Sequence, residues 1–331
     1  MRAWVFDGPG LDLVEQTRPE PELDEHDILI RVATCGVCRT DLHVRDGELA
    51  DIPYPIVPGH QVVGDVIATG RASPIAIGAR VGVAWLGWTC GECRYCASGC
   101  ENLCDGARFH GYHIDGGYAD VMRADARFCF ELDHELDPVA TAPLLCAGLI
   151  GFRSLRLAGD AQRIGIYGFG SAAHIVTQVA LHAGQEVFAF TSPGDDATQA
   201  FARELGAAWA GGSDEAAPAP LDAALIFAPV GTLVPKALRD VRKGGAVVCG
   251  GIHMSDIPSF PYADLWGERQ LRSVANLTRQ DGRDFMALAA EGFLTPTVTT
   301  YSMREANIAL ADLKGGKLNG SAVLVADNES A

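Results

Sequence analysis

The sequence predicts an α/β protein, a doubly wound parallel sheet joined to a second, β-rich domain. Three observations lead there. The chain has 331 residues, too long for one simple core and enough for two domains. From about Arg163 onward, short apolar runs alternate with amphipathic ones, the strand–helix–strand order that builds parallel sheets. The first 145 or so residues instead alternate short β-rich runs with Gly and Pro punctuation.

In the first part, 28–33, 61–68 and 80–83 read as strands joined by long loops. In the second, a strand at 164–167 leads through a glycine turn into an amphipathic helix at 172–183. Strand 187–190, helix 197–205, strand 223–227, helix 233–241 and strand 246–249 follow, and 272–276 reads as a further strand. The stretch 211–220, rich in Ala, Pro and Gly, reads as a surface loop. After about Asp284 the texture becomes mixed again, and this tail is expected to rejoin the first domain. No internal repeat is evident.

Composition narrows the function. Apolar residues make up 48% and charged residues 21%, which favours a compact fold over disorder. The formal net charge of −16 argues against nucleic acid or an anionic membrane as partner, because both are bound through Lys and Arg. No apolar run approaches the roughly 18–20 residues that span a bilayer. The segment 1–10 lacks the basic-then-apolar pattern of a signal peptide, so a cytoplasmic protein is expected. Ten cysteines in such a chain need an explanation other than disulfides.

Their clustering supplies one. Cys90, Cys93, Cys96 and Cys104 have the spacing C-x2-C-x2-C-x7-C, in which three thiolates turn around a cation and the fourth closes a tetrahedron. Zinc suits four thiolates well, being redox-inert and content with that geometry. An iron–sulfur cluster is the competing reading, but no companion Cys-Pro run follows. Cys100, inside the x7 loop, reads as a bystander that could replace a neighbour. A closed four-thiolate site has no room for substrate, so its role is structural.

Three further residues, Cys38, His60 and Cys146, are spread along the chain, and each alone is weak. Cys38 lies in Cys35-Gly-Val-Cys38-Arg39-Thr40-Asp41-Leu42-His43, His60 in Val57-Pro58-Gly59-His60, and Cys146 in an apolar run. A Gly-rich turn, Gly168-Phe169-Gly170-Ser171-Ala172-Ala173, follows an apolar strand and opens a helix, the context a dinucleotide fingerprint requires. Gly168 permits the tight turn, Gly170 lets the backbone approach a pyrophosphate, and Ala173 allows close helix–strand packing. The pyrophosphate then meets the free N–H groups of the helix N-terminus.

These stretches together, in this order and across essentially the whole chain, resemble the zinc-dependent alcohol dehydrogenases of the medium-chain dehydrogenase family. The resemblance implies a Rossmann domain at 147–285. It also implies a GroES-like catalytic zinc domain from 1–146 and 286–331, with a structural-zinc lobe at 88–106. It implies two zinc ions per chain. Cys38, His60 and Cys146 would hold the catalytic one and leave a fourth position open, a ligand set known for alcohol dehydrogenase. By resemblance Thr40 accepts the alcohol's proton, His43 relays it to solvent, Asp41 orients the histidine ligand, and Arg39 meets the cofactor pyrophosphate. Alignment on Arg39-Thr40-Asp41 makes Cys38 the ligand and Cys35 a small buried residue. The family's Gly-His-Glu is here Gly59-His60-Gln61, and Ser321 follows Gly320 where Arg is common.

The end of the second strand is expected to choose between NAD and NADP. Thr191 stands where an acid would bond the ribose 2′-hydroxyl, and 193–196 offers no Arg or Lys for a 2′-phosphate. Asp195 and Asp196 tip the expectation weakly to NAD. Trp85, Leu86, Leu49 and Ile252 are candidate pocket walls that favour apolar alcohols over polyols. The expected activity is reversible hydride transfer between a primary or secondary alcohol, or its aldehyde or ketone, and NAD(P). A polyol or amino-alcohol dehydrogenase of the same family is one alternative, and a non-catalytic zinc- and cofactor-binding relative is another. A zinc-free quinone reductase relative would lack both cysteine sets. The resemblance also implies a homodimer or homotetramer.

Overall fold

The computed structural model describes residues 1–327, so the last four residues of the expected 286–331 segment lie outside the described residues. The chain divides into two units. Of the described residues, one comprises 1–146, 278–290 and 296–327, and the other 147–277 and 291–295.

The second unit is built on a six-stranded parallel sheet. Its spatial order is Trp209–Gly212, Glu186–Thr191, Arg163–Tyr167, Leu221–Ile226, Val241–Cys249, Gln270–Ser273. The first strand in sequence sits in the middle and the order reverses beside it, the Rossmann arrangement. Side chains alternate between the two faces of each strand. Ile164, Ile166, Val187, Ala189, Leu225 and Val248 enter one core, while Tyr167, Phe188, Phe190, Ile226 and Val247 enter the other. Both faces are apolar and covered, as a parallel sheet requires. Helices Ala147–Ala158 and Ser171–His182 bring Ile150 and Val176 to the first core, and helix Leu233–Asp240 brings Val234 and Leu238 to the second.

Two differences from the sequence expectation are instructive. Trp209–Gly212 is an edge strand of the sheet, overlapping the stretch 211–220 expected to be a loop. Its Trp-Ala-Gly-Gly sequence lacks the β-branched signature, and its pairing with Glu186–Thr191 makes it a strand. The expected strand at 272–276 lies at Gln270–Ser273, and Asn276 turns the chain with φ 56°.

In the first unit a seven-stranded sheet is organised around the long strand Asp27–Val37. That strand pairs with Val62–Thr69, Val121–Asp125 and the C-terminal strand Ser321–Val325. The return to this unit comes at Thr278, ahead of the expected 286, and 291–295 belongs to the other unit. Thr278 and Asp281 form a capping box that starts helix Arg279–Ala289. Gly282 of this helix packs under the Phe130 ring, and the Arg279 backbone N–H and guanidinium both donate to the buried Glu101 carboxylate, at 2.9 and 3.1 Å. These contacts, invisible to local sequence texture, assign the helix to the first unit.

Candidate metal centres and cofactor turn

The strand Asp27–Val37 ends at Cys38, whose extended backbone (φ −140°, ψ 179°) makes it the N-cap of helix Arg39–Asp46. Its sulfur accepts the Thr40 N–H at 3.3 Å, and Asp41 returns the favour by accepting the Cys38 N–H at 2.9 Å. This is a capping box with a thiol in place of the usual hydroxyl. A helix N-terminus stabilises negative charge, so the position suits a thiolate.

Asp41 is fully buried, and its other oxygen accepts the Gly59 N–H at 3.2 Å and lies 3.5 Å from His60 Nδ1. That leaves His60 Nε2 facing Cys38 Sγ at 3.1 Å. Cys146 follows the 3-10 turn Ala142–Leu145, and its sulfur completes the group, with all three donor atoms within 4.8 Å of one another. A hydrogen bond from Cys146, together with the neighbouring His60, holds the Cys38 thiol well below its ordinary range despite burial. Burial pulls His60 down, but the charges of Cys38 and Asp41 outweigh it and lift the imidazole to about 10. Two soft sulfurs and one imidazole converging in a partly buried site, with the imidazole oriented by a carboxylate, fit a zinc ion.

In the lobe, Cys90, Cys93, Cys96 and Cys104 also converge within 4.8 Å. The Cys93–Cys96 and Cys90–Cys104 sulfurs are 3.6 Å apart and the Cys90–Cys96 pair 3.9 Å. Zinc–sulfur bonds of about 2.3 Å in a tetrahedron put sulfurs roughly 3.8 Å apart, so the spacing fits zinc. Cys100 directs its sulfur at the Ser98 carbonyl, 3.9 Å away, and takes no part in the cluster. Cys35 is wholly buried, as expected of a packing residue, and burial pushes its thiol well above the ordinary range.

Thr40, Asp41 and His43 all lie on helix Arg39–Asp46, and Arg39 at its start is exposed. Gln61 is buried at 2%, and its amide nitrogen has no hydrogen-bond partner among the described residues. The Trp85 ring stands 6.3 Å from His60, then stacks on Phe109 at 4.2 Å and lies nearly parallel to Tyr112. Of the expected pocket walls, Trp85 is thus placed beside a candidate ligand. Leu86 is a core residue at 2% exposure, Leu49 packs on the core of its unit, and Ile252 is exposed. Phe109 and Tyr112 were missed, although the aromatic run Phe109-His-Gly-Tyr112-His113 just after the lobe is a readable signal.

In the second unit, Gly168 has φ +89°, and a Cβ there would come within 2.6 Å of the Ala228 nitrogen, so both conformation and space demand glycine. A Cβ on Gly170 would meet nothing within 4 Å, leaving open room for a ligand against the backbone. Gly170 caps helix Ser171–His182 without any side-chain hydrogen bond, and Ala173 is fully buried. An uncapped helix start beside open backbone fits a dinucleotide's pyrophosphate. Thr191 departs from its expected role. It is 3% exposed, its hydroxyl donates to the Ser192 carbonyl at 3.1 Å and accepts from Gln199 at 3.2 Å. The side chain therefore faces inward, and the exposed residue at the strand end is Ser192.

Comparison with known proteins agrees with this architecture. Residues 24–134 match the model of the alcohol dehydrogenase GroES-like domain. The probable alcohol dehydrogenase AdhA of Mycobacterium tuberculosis (strain CDC 1551 / Oshkosh) is 43% identical, over 98% of this chain and 97% of that one. An alcohol dehydrogenase of Geobacillus stearothermophilus is 34% identical over 95% of each. Among solved structures, the cinnamyl alcohol dehydrogenase SbCAD4 of Sorghum bicolor superposes with a TM-score of 0.89 at 24% identity, covering 100% of this chain and 99% of that one. CAD from Helicobacter pylori, complexed with NADP(H), gives 0.89 at 20% identity, over 98% and 97%. The chain belongs to the medium-chain, zinc-type alcohol dehydrogenase family.

The two cysteine sites are expected to respond differently to substitution. Cys93→Ser should loosen or unfold the lobe, because structural zinc contributes folding free energy directly. Cys146→Ser should leave a folded protein with one zinc fewer by elemental analysis and little activity. Identical thermal and metal-content behaviour in the two variants would contradict the assignment.

Proposed function

We propose that the chain is a zinc-dependent alcohol dehydrogenase that moves hydride between NAD(H) and a primary or secondary alcohol or the corresponding carbonyl. The observation that carries this reading is the convergence of Cys38, His60 and Cys146, with Asp41 behind the imidazole. When bound, zinc supplies Lewis acidity and the nicotinamide accepts or donates the hydride. The unit containing residues 1–146 is the proposed catalytic domain, with one zinc at each cysteine site, and the unit containing 147–277 is the proposed cofactor domain. Thr40 is the proposed acceptor of the alcohol's proton, His43 its relay, and Arg39 the cation for the cofactor's phosphates. Gly168, Gly170 and Ala173 shape the phosphate turn. The stacked rings of Trp85, Phe109 and Tyr112 favour aliphatic or aromatic alcohols over polyols.

Cofactor choice follows from charges around the second strand's end. Asp195 accepts the Thr198 N–H at 3.1 Å as an N-cap, which holds its charge beside 192–194. A Cβ on Gly212 would lie 2.5 Å from the Asp214 carboxylate and 3.4 Å from the Pro193 Cα, so a second acidic loop borders the same turn. Of the cations of this unit, Arg203 donates to the Ala210 carbonyl at 2.7 Å and Arg239 pairs with Asp264 at 3.3 Å. These features support a weak preference for NAD, since a 2′-phosphate there would face Asp195 and the loop of Asp214. The repulsion is screened by salt and modest.

The strand Gln270–Ser273 is exposed along its length and has a neighbour on one side only. An open edge of this kind invites pairing, and we propose a homodimer or a dimer of dimers built on it. Sedimentation should give a multiple of the chain mass, and a clean monomer would contradict this.

Turnover of a panel of alcohols with each cofactor tests the function. Apolar alcohols should be oxidised with NAD, polyols poorly, and chelation should abolish activity until zinc is restored. NADH should bind somewhat more tightly than NADPH, and Ser192→Arg should shift binding toward NADPH. Absence of turnover in the two-zinc protein would favour a non-catalytic relative. A wild-type preference for NADPH beyond a hundredfold, about 2.7 kcal/mol, would contradict the charge argument.

A further inference from the structure

We propose that Glu48 is a positioning residue for release of the alcohol's proton, holding His43 in the tautomer that carries its proton on Nδ1 and its lone pair on Nε2. The inference rests on the reading of His43 as the relay. Thr40 and His43 are three residues apart on helix Arg39–Asp46, so they share a face.

The end of that helix brings Glu48 to His43. Gly47 adopts the left-handed conformation (φ 72°), the Gly47 N–H reaches the Val44 carbonyl, and the Glu48 N–H donates to the His43 carbonyl at 3.0 Å. These two reversed bonds form the Schellman pattern, which folds the residue after the glycine back over the last turn. A Cβ at Gly47 would approach the Pro9 Cβ to 2.9 Å, so the position is closed to other residues on two counts. The last turn is also held from outside: the Tyr54 hydroxyl donates to the Val44 carbonyl as well, and the Gly10 N–H donates to the Arg45 carbonyl at 2.6 Å. The turn is therefore fixed from outside the helix as well as within it.

Within this frame a Glu48 oxygen lies 2.5 Å from His43 Nδ1. A carboxylate only accepts, so the imidazole must present its proton there, which leaves the lone pair on Nε2. The other charges at this helix end are paired among themselves, Asp46 with Arg45 at 2.7 Å and with Lys314 at 3.1 Å. Exposure grades outward as well, 16% for the His43 side chain and 50% for Glu48, which suits an exit toward water. The proton balance is simple. The substrate hydroxyl gives a proton to the Thr40 oxygen as the Thr40 proton passes toward Nε2. The resulting imidazolium keeps its Nδ1–H on Glu48 and loses its Nε2 proton to water, which restores the resting tautomer.

The test uses the zinc-loaded enzyme labelled with ¹⁵N-histidine, with the His43 signals identified by their loss in His43→Gln. Wild type and Glu48→Asp should show the proton on Nδ1, whereas Glu48→Ala should show a mixture of tautomers. In parallel, kcat for alcohol oxidation in Glu48→Ala should fall about tenfold with KM little changed and a larger solvent isotope effect, and Glu48→Asp should restore it. Glu48→Leu, of similar size but without an acceptor, is a second variant should Glu48→Ala fold poorly. If His43→Gln is slow while the Glu48 variants keep wild-type rates or an unchanged tautomer, the proposal is overturned and the relay stands. If His43→Gln is as fast as wild type, the relay reading fails and the proposal with it.

Discussion

A single buried carboxylate, that of Asp41, organises the candidate active site. It accepts N–H groups from Cys38 and Gly59 and contacts the His60 ring, so it joins a strand end, a helix start and a distant loop. Burial pushes its carboxyl up, and the facing His60 pulls it back down. A buried charge is tolerated when its lone pairs are satisfied, and here the groups that satisfy it carry two of the three proposed zinc donors. The constraint works in both directions: Cys38, Gly59 and His60 satisfy the Asp41 oxygens, and Asp41 keeps Cys38 and His60 facing each other.

Helix Arg39–Asp46 transmits this arrangement over its short length. Its first turn is capped by a proposed zinc donor, and its last turn closes on Gly47 with Glu48 against His43. The proposed proton acceptor, relay and positioning acid thus sit on one segment whose ends are both tied by hydrogen bonds. The second cysteine site is made differently. Its four sulfurs come from one 15-residue stretch (Cys90 to Cys104 inclusive), and Glu101 within that stretch anchors it to Arg279.

That contrast explains what the sequence disclosed. The four-cysteine lobe was readable because all its donors are local and their spacing is the geometry. The parallel sheet was readable from runs such as 164–167 and 187–190, whose alternate side chains fill two cores. Cys38, His60 and Cys146 were joined through family resemblance, since no spacing rule connects residues that only tertiary folding brings together. Trp209–Gly212 escaped because its strand state comes from its neighbour, and Thr278 escaped as a boundary because the Arg279–Glu101 contact spans most of the chain. Thr191 was located correctly along the chain, but which way a strand's last side chain points depends on pleat and packing, here Gln199 and the Ser192 carbonyl. Glu48 had no signature beyond following a glycine.

The central claim is that Asp41 preorganises the Cys38–His60–Cys146 group. Its most direct measurement is zinc release from Asp41→Asn against a competing chelator, with the four-cysteine lobe as internal reference. One zinc should be released at 10–100-fold lower chelator concentration than in wild type, while the other is held unchanged. Release of both ions with wild-type affinity would contradict the account.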